Sequence, residues 1–173
     1  MTFNYNKTYF DRIFGESFSI VNIFTTDGNA QLDDILKTDI LNDRFTAIYS
    51  LEDVEKFIPR EEQAINYLTG PIYTDKISTS DFKKLNYDDL LVEIETYIAN
   101  DPEDYVLISF RKLFYATLDK LRDDGIEGAS FYYLNADNFP ESSLFEVNVY
   151  DYYITIIVQL ETGSLLRLTF GND

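Results

Sequence analysis

The feature that most constrains this chain is a change of hydrophobic period at Gly125. Before it, apolar residues recur at steps of three and four; after it, they alternate every second residue. A 3.6-residue period lays a stripe along a helix, and a period of two lines one face of a strand. The sequence therefore predicts helices first and a sheet last.

The strongest helical pattern covers 101–122. Asp101 suits the N-cap, Pro102 the first helical position, and Glu103 and Asp104 the positive end of the helix dipole. Leu107, Phe110, Phe114, Leu118 and Leu121 then share one face, and Gly125 ends the run. Further helical signals lie upstream. Residues 7–14 read as a short amphipathic turn, and 29–41 carry Leu32, Ile35, Leu36 and Ile40 behind the turn Asp27-Gly28-Asn29. Ser50-Leu51-Glu52-Asp53 resembles a capping box, 60–68 is closed by Gly70-Pro71, and Ser80 opens a helix reaching about Ala99.

Beyond Gly125, residues 129–134, 144–151, 153–160 and 164–170 read as strands, the last two joined at Thr162-Gly163. Such short connections favour an antiparallel meander with the long helix as its cover. A further strand could come from 45–50 or 71–78, with no place in the sheet assigned. The expected fold is α+β: a mainly helical N-terminal part, 1–124, packed on a C-terminal antiparallel sheet of about four strands, 125–173. One domain spans 1–173, since 45% hydrophobic residues suffice for one core.

Composition limits the chemistry. The chain has no His, Cys or Trp, which removes Ser–His and Cys–His nucleophiles, histidine- or thiolate-bound metals and the histidine general base. No GxxxxGK[ST] or GxGxxG loop is present. Carboxylates remain. Asp33-Asp34, Asp88-Asp89, Asp123-Asp124 and the one-turn pair Asp89 and Glu93 are candidate acid–base or magnesium pairs. A solvated helix face or a helix cap accounts for each of them, since such pairs arise by chance among 31 acidic residues. The stretch 135–146 spaces oxygen ligands as a calcium loop does, but Pro140 stands where that loop needs Gly. The expectation is a protein that is not an enzyme and has no catalytic, cofactor or metal residues.

Charge points elsewhere. The formal net charge is −17, and residues 125–173 hold seven acidic residues against one basic residue, Arg167. A field of this size attracts a basic partner and repels nucleic acid and anionic membranes. The expected partner is a basic protein, with no direct nucleic acid and no membrane; the oligomeric state stays open. The expected contact residues are Glu146, Asn148, Tyr150, Asp151 and Tyr153, an aromatic-acidic mixture on the outer face of the strands, with Asp123, Asp124 and Glu127 in the acidic turn. Tyr supplies contact area at small entropic cost. The first ten residues lack the basic and apolar regions of a secretory signal, and no apolar run is long enough to cross a bilayer. The expected location is therefore cytoplasmic.

In length, acidity, lack of catalytic residue types and α+β organisation, the chain resembles the immunity proteins of bacterial toxin–immunity pairs, such as those of contact-dependent growth inhibition. The resemblance is one of overall character and rests on no motif. It implies a cytoplasmic protein that binds a cognate toxin domain, often a basic nuclease, and occludes its active site or substrate groove. Two alternatives share the same features: a DNA mimic that inhibits a DNA-binding enzyme, and a carboxylate-based hydrolase.

Overall fold

In the computed structural model of this chain, the described residues are 3–13, 17–26, 30–38, 40–41, 68–144 and 150–172. Strands β1 (Phe3–Arg12) and β2 (Ser17–Thr26) form an N-terminal hairpin, followed by the short helix α1 (Leu32–Leu36). A small hairpin, β3 (Leu68–Thr69) and β4 (Ile72–Tyr73), precedes β5 (Lys83–Leu85). Helices α2 (Tyr87–Ile98) and α3 (Tyr105–Leu121) come next, then β6 (Ser130–Asn135), β7 (Tyr152–Gln159) and β8 (Ser164–Asn172). Six of these strands make one antiparallel sheet in the order β1-β2-β8-β7-β6-β5.

The expectation of an N-terminal helical half is thereby corrected. Among the described residues the sheet has six strands rather than four, it begins at Phe3, and the two longer helices sit in the middle of the chain. The N-terminal hairpin inserts its second strand beside β8, so the first and last segments of the chain meet at the sheet centre.

The cause is visible in the pairing. Residues 7–14 read as an amphipathic turn because a register shift between Tyr5 and Lys7 breaks the alternation of β1. An extra residue in one strand throws the side chains before and after it onto different parities. Strand β2 gives no period because both its faces are covered: Ile20 is fully buried on one side and Val21 nearly so on the other. Two-sided burial turns an alternating pattern into a continuous apolar run.

Register defines the two layers. On one face Val21, Leu168, Ile156 and Tyr133 lie side by side across four strands and pack with Ile94, Phe110 and Phe114 of the helices. Phe110 is the hub there, its ring centroid 5.0 Å from Tyr152 and 5.6 Å from Phe170. Truncating such a ring to Ala costs about 3–5 kcal/mol. On the opposite face Phe24, Leu165, Ile157 and Tyr153 meet Ile35, Ile40, Ile72 and Phe82. The long helix does cover the sheet, as expected, but a second layer covers the other side.

Two expected helices are shortened for local reasons. The helix expected from Ser80 is instead a 3-10 turn (Thr79–Asp81), then β5, which closes on the edge of β6 through Lys83↔Tyr133 and Leu85↔Phe131. Helix α2 starts only at Tyr87, where the Asn86 side chain accepts from the Asp89 N–H at 2.8 Å. Helix α3 is capped by Asp104, whose carboxylate accepts from the Val106 N–H at 2.8 Å, and not by Asp101. Residues 101–104 form the reversal between antiparallel helices, with the Asp104 N–H donating to the Asp101 carbonyl at 3.2 Å. The helix expected over 29–41 contracts to the five residues of α1. The capping box at Ser50, the helix 60–68 up to Leu68, which opens β3 instead, the strand option 45–50 and most of the strand 144–151 lie outside the described residues. Within 71–78 the two-residue β4 forms.

Candidate functional site

The C-terminal end of α3 and the N-terminal end of α2 lie together at one end of the molecule. Asp88 and Asp89 occupy the first turn of α2, where the exposed N–H groups favour negative charge. Asp119 lies exposed in the last turn of α3. The chain then makes a 3-10 turn (Arg122–Asp124), reverses at Gly125 with φ 81°, and makes a second turn (Ile126–Gly128) before entering β6. Fully buried Ile126 pins this second turn to the core and leaves Glu127 on the surface.

The half-buried Tyr87 marks the middle of the cluster. Burial pushes its hydroxyl up from the ordinary tyrosine value, and the carboxylates of Glu127, Asp119 and Asp88 act in the same direction. Arg122 opposes them, but its guanidinium is already shared between Asp119 at 2.6 Å and Glu127 at 3.8 Å. Glu161, in the turn between β7 and β8, comes against Gly128, since a Cβ there would stand 3.3 Å from its carboxyl carbon. Asp88, Asp119, Asp123, Asp124, Glu127 and Glu161 are all exposed. Chemically, this end offers the carboxylates of Glu127, Asp119 and Asp88 near a tyrosine hydroxyl held in its donor form, with Asp123, Asp124 and Glu161 as further acceptors in the adjoining turns.

The second group of expected contact residues lies at the other end of the sheet. Tyr150 and Asp151 precede β7, whereas Glu127 precedes β6, whose first residue Ser130 pairs with Gln159 at the far end of β7. Eight residues of strand separate the two groups, about 25 Å at the usual rise. Asp151 is exposed; it accepts from Asn172 Nδ2 at 2.8 Å, and its own N–H donates to the Asn172 carbonyl at 3.1 Å. Tyr150 is half-buried, its ring 5.2 Å from Tyr153 and 6.2 Å from Phe18. The expected outward stripe of tyrosines is corrected here. Tyr152 faces the helices, and Tyr153, 2% exposed, faces the second layer. Glu146 and Asn148 lie outside the described residues.

Several conspicuous acidic groups are structural. Tyr97 donates to Asp137 at 2.9 Å, and Tyr115 donates to Glu95 at 2.6 Å while Arg111 holds the other Glu95 oxygen at 2.8 Å. These bonds tie α2 to α3 and to the loop after β6. Glu93 pairs with Lys83. Among the described residues no group of three carboxylates has the spacing to hold a metal ion, and no helix is long and apolar enough to cross a membrane.

The sequence missed Asp88, Asp119 and Glu161 as companions of Glu127, because three separate segments supply them. It also missed the consequence of Arg167. This residue, the one basic group of 125–173, is fully buried in the sheet, so that segment places no cation on the surface. Comparison with protein-family models, with curated proteins and with solved structures finds no match to this chain.

Proposed function

We propose that the chain is an acidic binding protein that neutralises a basic toxin domain, as the immunity proteins of bacterial toxin–immunity pairs do, and that the α2–α3 end is its contact surface. The observation that carries this reading is the cluster of Asp88, Asp119, Asp123, Asp124, Glu127 and Glu161, whose neighbouring Arg122 is already committed to two of them.

The physics is that of a nucleic-acid-binding groove filled by something other than nucleic acid. Carboxylates take the positions of phosphates, and the field of a chain carrying −17 speeds encounter with a cationic surface. Tyr87, backed by Phe131 with ring centroids 6.2 Å apart, supplies a rigid aromatic donor at the centre. Packing of that kind, more than charge, slows dissociation. Such a protein acts in the cytoplasm, where its partner would otherwise reach its substrate.

The test is capture followed by inhibition. The immobilised chain, challenged with lysate of its source organism at moderate and high salt, should retain one basic domain in stoichiometric amount, and the free chain should abolish that domain's enzymatic activity at one-to-one ratio. Recovery of several DNA-binding proteins that all elute together at high salt would replace this reading with DNA mimicry.

A further inference from the structure

The sheet has two edges of different character. Strand β5 is three residues long and presents exposed Lys83 and Lys84, a pattern that blocks further pairing. Strand β1 is ten residues long. It leaves Tyr5, Tyr9 and Phe10 exposed at 47%, 46% and 48%. Among the described residues, β2 alone pairs with it. A long, aromatic edge that carries no further strand among the described residues invites another strand.

The hydrogen-bond phase of β1 says which groups it offers. The Ile13 N–H donates to the Ser17 carbonyl at 3.0 Å. An antiparallel ladder alternates, so along the register Asp11↔Ser19, Tyr9↔Val21 and Lys7↔Ile23 the main-chain groups of Asp11, Tyr9 and Lys7 turn toward β2. Those of Thr8 and Phe10 therefore turn outward.

We propose that β1 pairs with β1 of a second copy of this chain, antiparallel, about a twofold axis at Tyr9. In this register Thr8 faces Phe10 of the other copy on each side of the axis, and the outward amides of both exchange hydrogen bonds. Tyr9 faces Tyr9. Lys7 faces Asp11 twice, in the closely spaced non-hydrogen-bonded pairs where side chains interact best. The three side chains already lie on the helix-covered side of the sheet: Asp11 is bound by Lys120 of α3, and Lys7 sits 4.6 Å over the Tyr9 ring.

Other registers lose these pairs. Sliding by two residues in one direction sets Lys7 against Ile13, and in the other it sets Asp11 against Tyr5, across the register shift between Tyr5 and Lys7. Charge also favours a second copy over a basic partner at this edge. Within a chain of net −17, β1 sets Lys7 and Asp11 two residues to either side of Tyr9, so it complements itself across the axis, which a wholly cationic strand would not. There is room for the association. Helix α3 packs on β2, and the two β2 strands would stand about 14 Å apart at the usual strand spacing, wider than the 8–10 Å of packed helices. Repulsion between the two acidic bodies keeps the dimer reversible and makes salt strengthen it.

The experiment is light scattering of the eluting full chain across a range of concentration and salt, with far-UV circular dichroism confirming folding. The mass should rise with concentration from 20.2 kDa toward twice that value, further at high salt. K7D and D11K should each weaken the dimer about tenfold by opposing like charges, and K7D/D11K should restore it. F10P, which removes an outward N–H and leaves the β1–β2 bonds intact, should abolish it. A mass of 20.2 kDa under every condition, a dimer insensitive to K7D, or a double variant no better than either single one would overturn the proposal. The toxin-binding reading is independent of this result.

Discussion

The Arg167 guanidinium donates to the Tyr153 hydroxyl at 3.2 Å inside the sheet's second layer, with no solvent exposure. The same group donates to the Ile40 carbonyl at 3.1 Å and to Thr69 Oγ1 at 2.8 Å, joining two segments distant in sequence to the central strand β8. Tyr153→Phe should cost about 1 kcal/mol, the net value of one hydrogen bond. Arg167→Met should cost about 3 kcal/mol or more, because it leaves several buried acceptors unmet. Urea denaturation checks both, and the double variant should lose less than the sum.

Gly171 and Gly163 separate two causes of glycine dependence. A Cβ at Gly171 would lie 2.5 Å from Phe18 Cζ, so Gly171→Ala overpacks the core and should cost about 1–3 kcal/mol. Adding Phe18→Leu should recover part of that loss. At Gly163 nothing lies within 4 Å of a Cβ, but φ is +85°; Gly163→Ala should cost about 1–2 kcal/mol from the backbone alone. No core substitution should rescue it. Thermal unfolding of the three variants distinguishes the two behaviours.

Stability should fall on the alkaline side. Burial, then the hydrogen bond to Glu95, pushes the Tyr115 hydroxyl from 10.0 up to about 12, and Tyr97, Tyr133 and Tyr152 move in the same direction through burial. Between the two values the unfolded chain has lost protons that the folded chain keeps, so stability is full below about pH 10 and declines as pH rises toward 12. Denaturation midpoints measured across this range should follow that course, and Tyr97→Phe should flatten the slope.

Salt should stabilise the chain. A net charge of −17 on one domain repels itself, and the ion pairs such as Arg111–Glu95 and Arg122–Asp119 are exposed enough to contribute little. The melting temperature should therefore rise as sodium chloride is added. A fall would assign the exposed pairs a larger share of stability than their exposure allows.

The helical stripe ending at Leu121 and the β7–β8 hairpin with its turn at Gly163 were legible in the sequence because each expresses a local period or a backbone requirement. The expected four-strand meander is corrected, since β6 pairs directly with β7. The N-terminal hairpin was not legible, because the shift between Tyr5 and Lys7 scrambles alternation in β1 and two-sided burial erases it in β2. Glu127 stands in the acidic end, as a contact residue chosen from sequence, but its companions Asp88, Asp119 and Glu161 are brought there by the antiparallel helices and the β7–β8 turn. Tyr153 was misplaced for a complementary reason. Its strand alternates as a half-exposed strand does, and the residues that cover its second face come from elsewhere in the chain.

The most direct measurement is the association rate of the captured basic domain with the wild-type chain and with an Asp119→Lys/Glu127→Lys variant, by stopped flow at low and high salt. The account predicts an on-rate at least about tenfold lower for the variant at low salt, converging with wild type as salt screens the field. An on-rate that is unchanged by the two reversals, or equally fast at both salts, would contradict the assignment of the α2–α3 end as the contact surface.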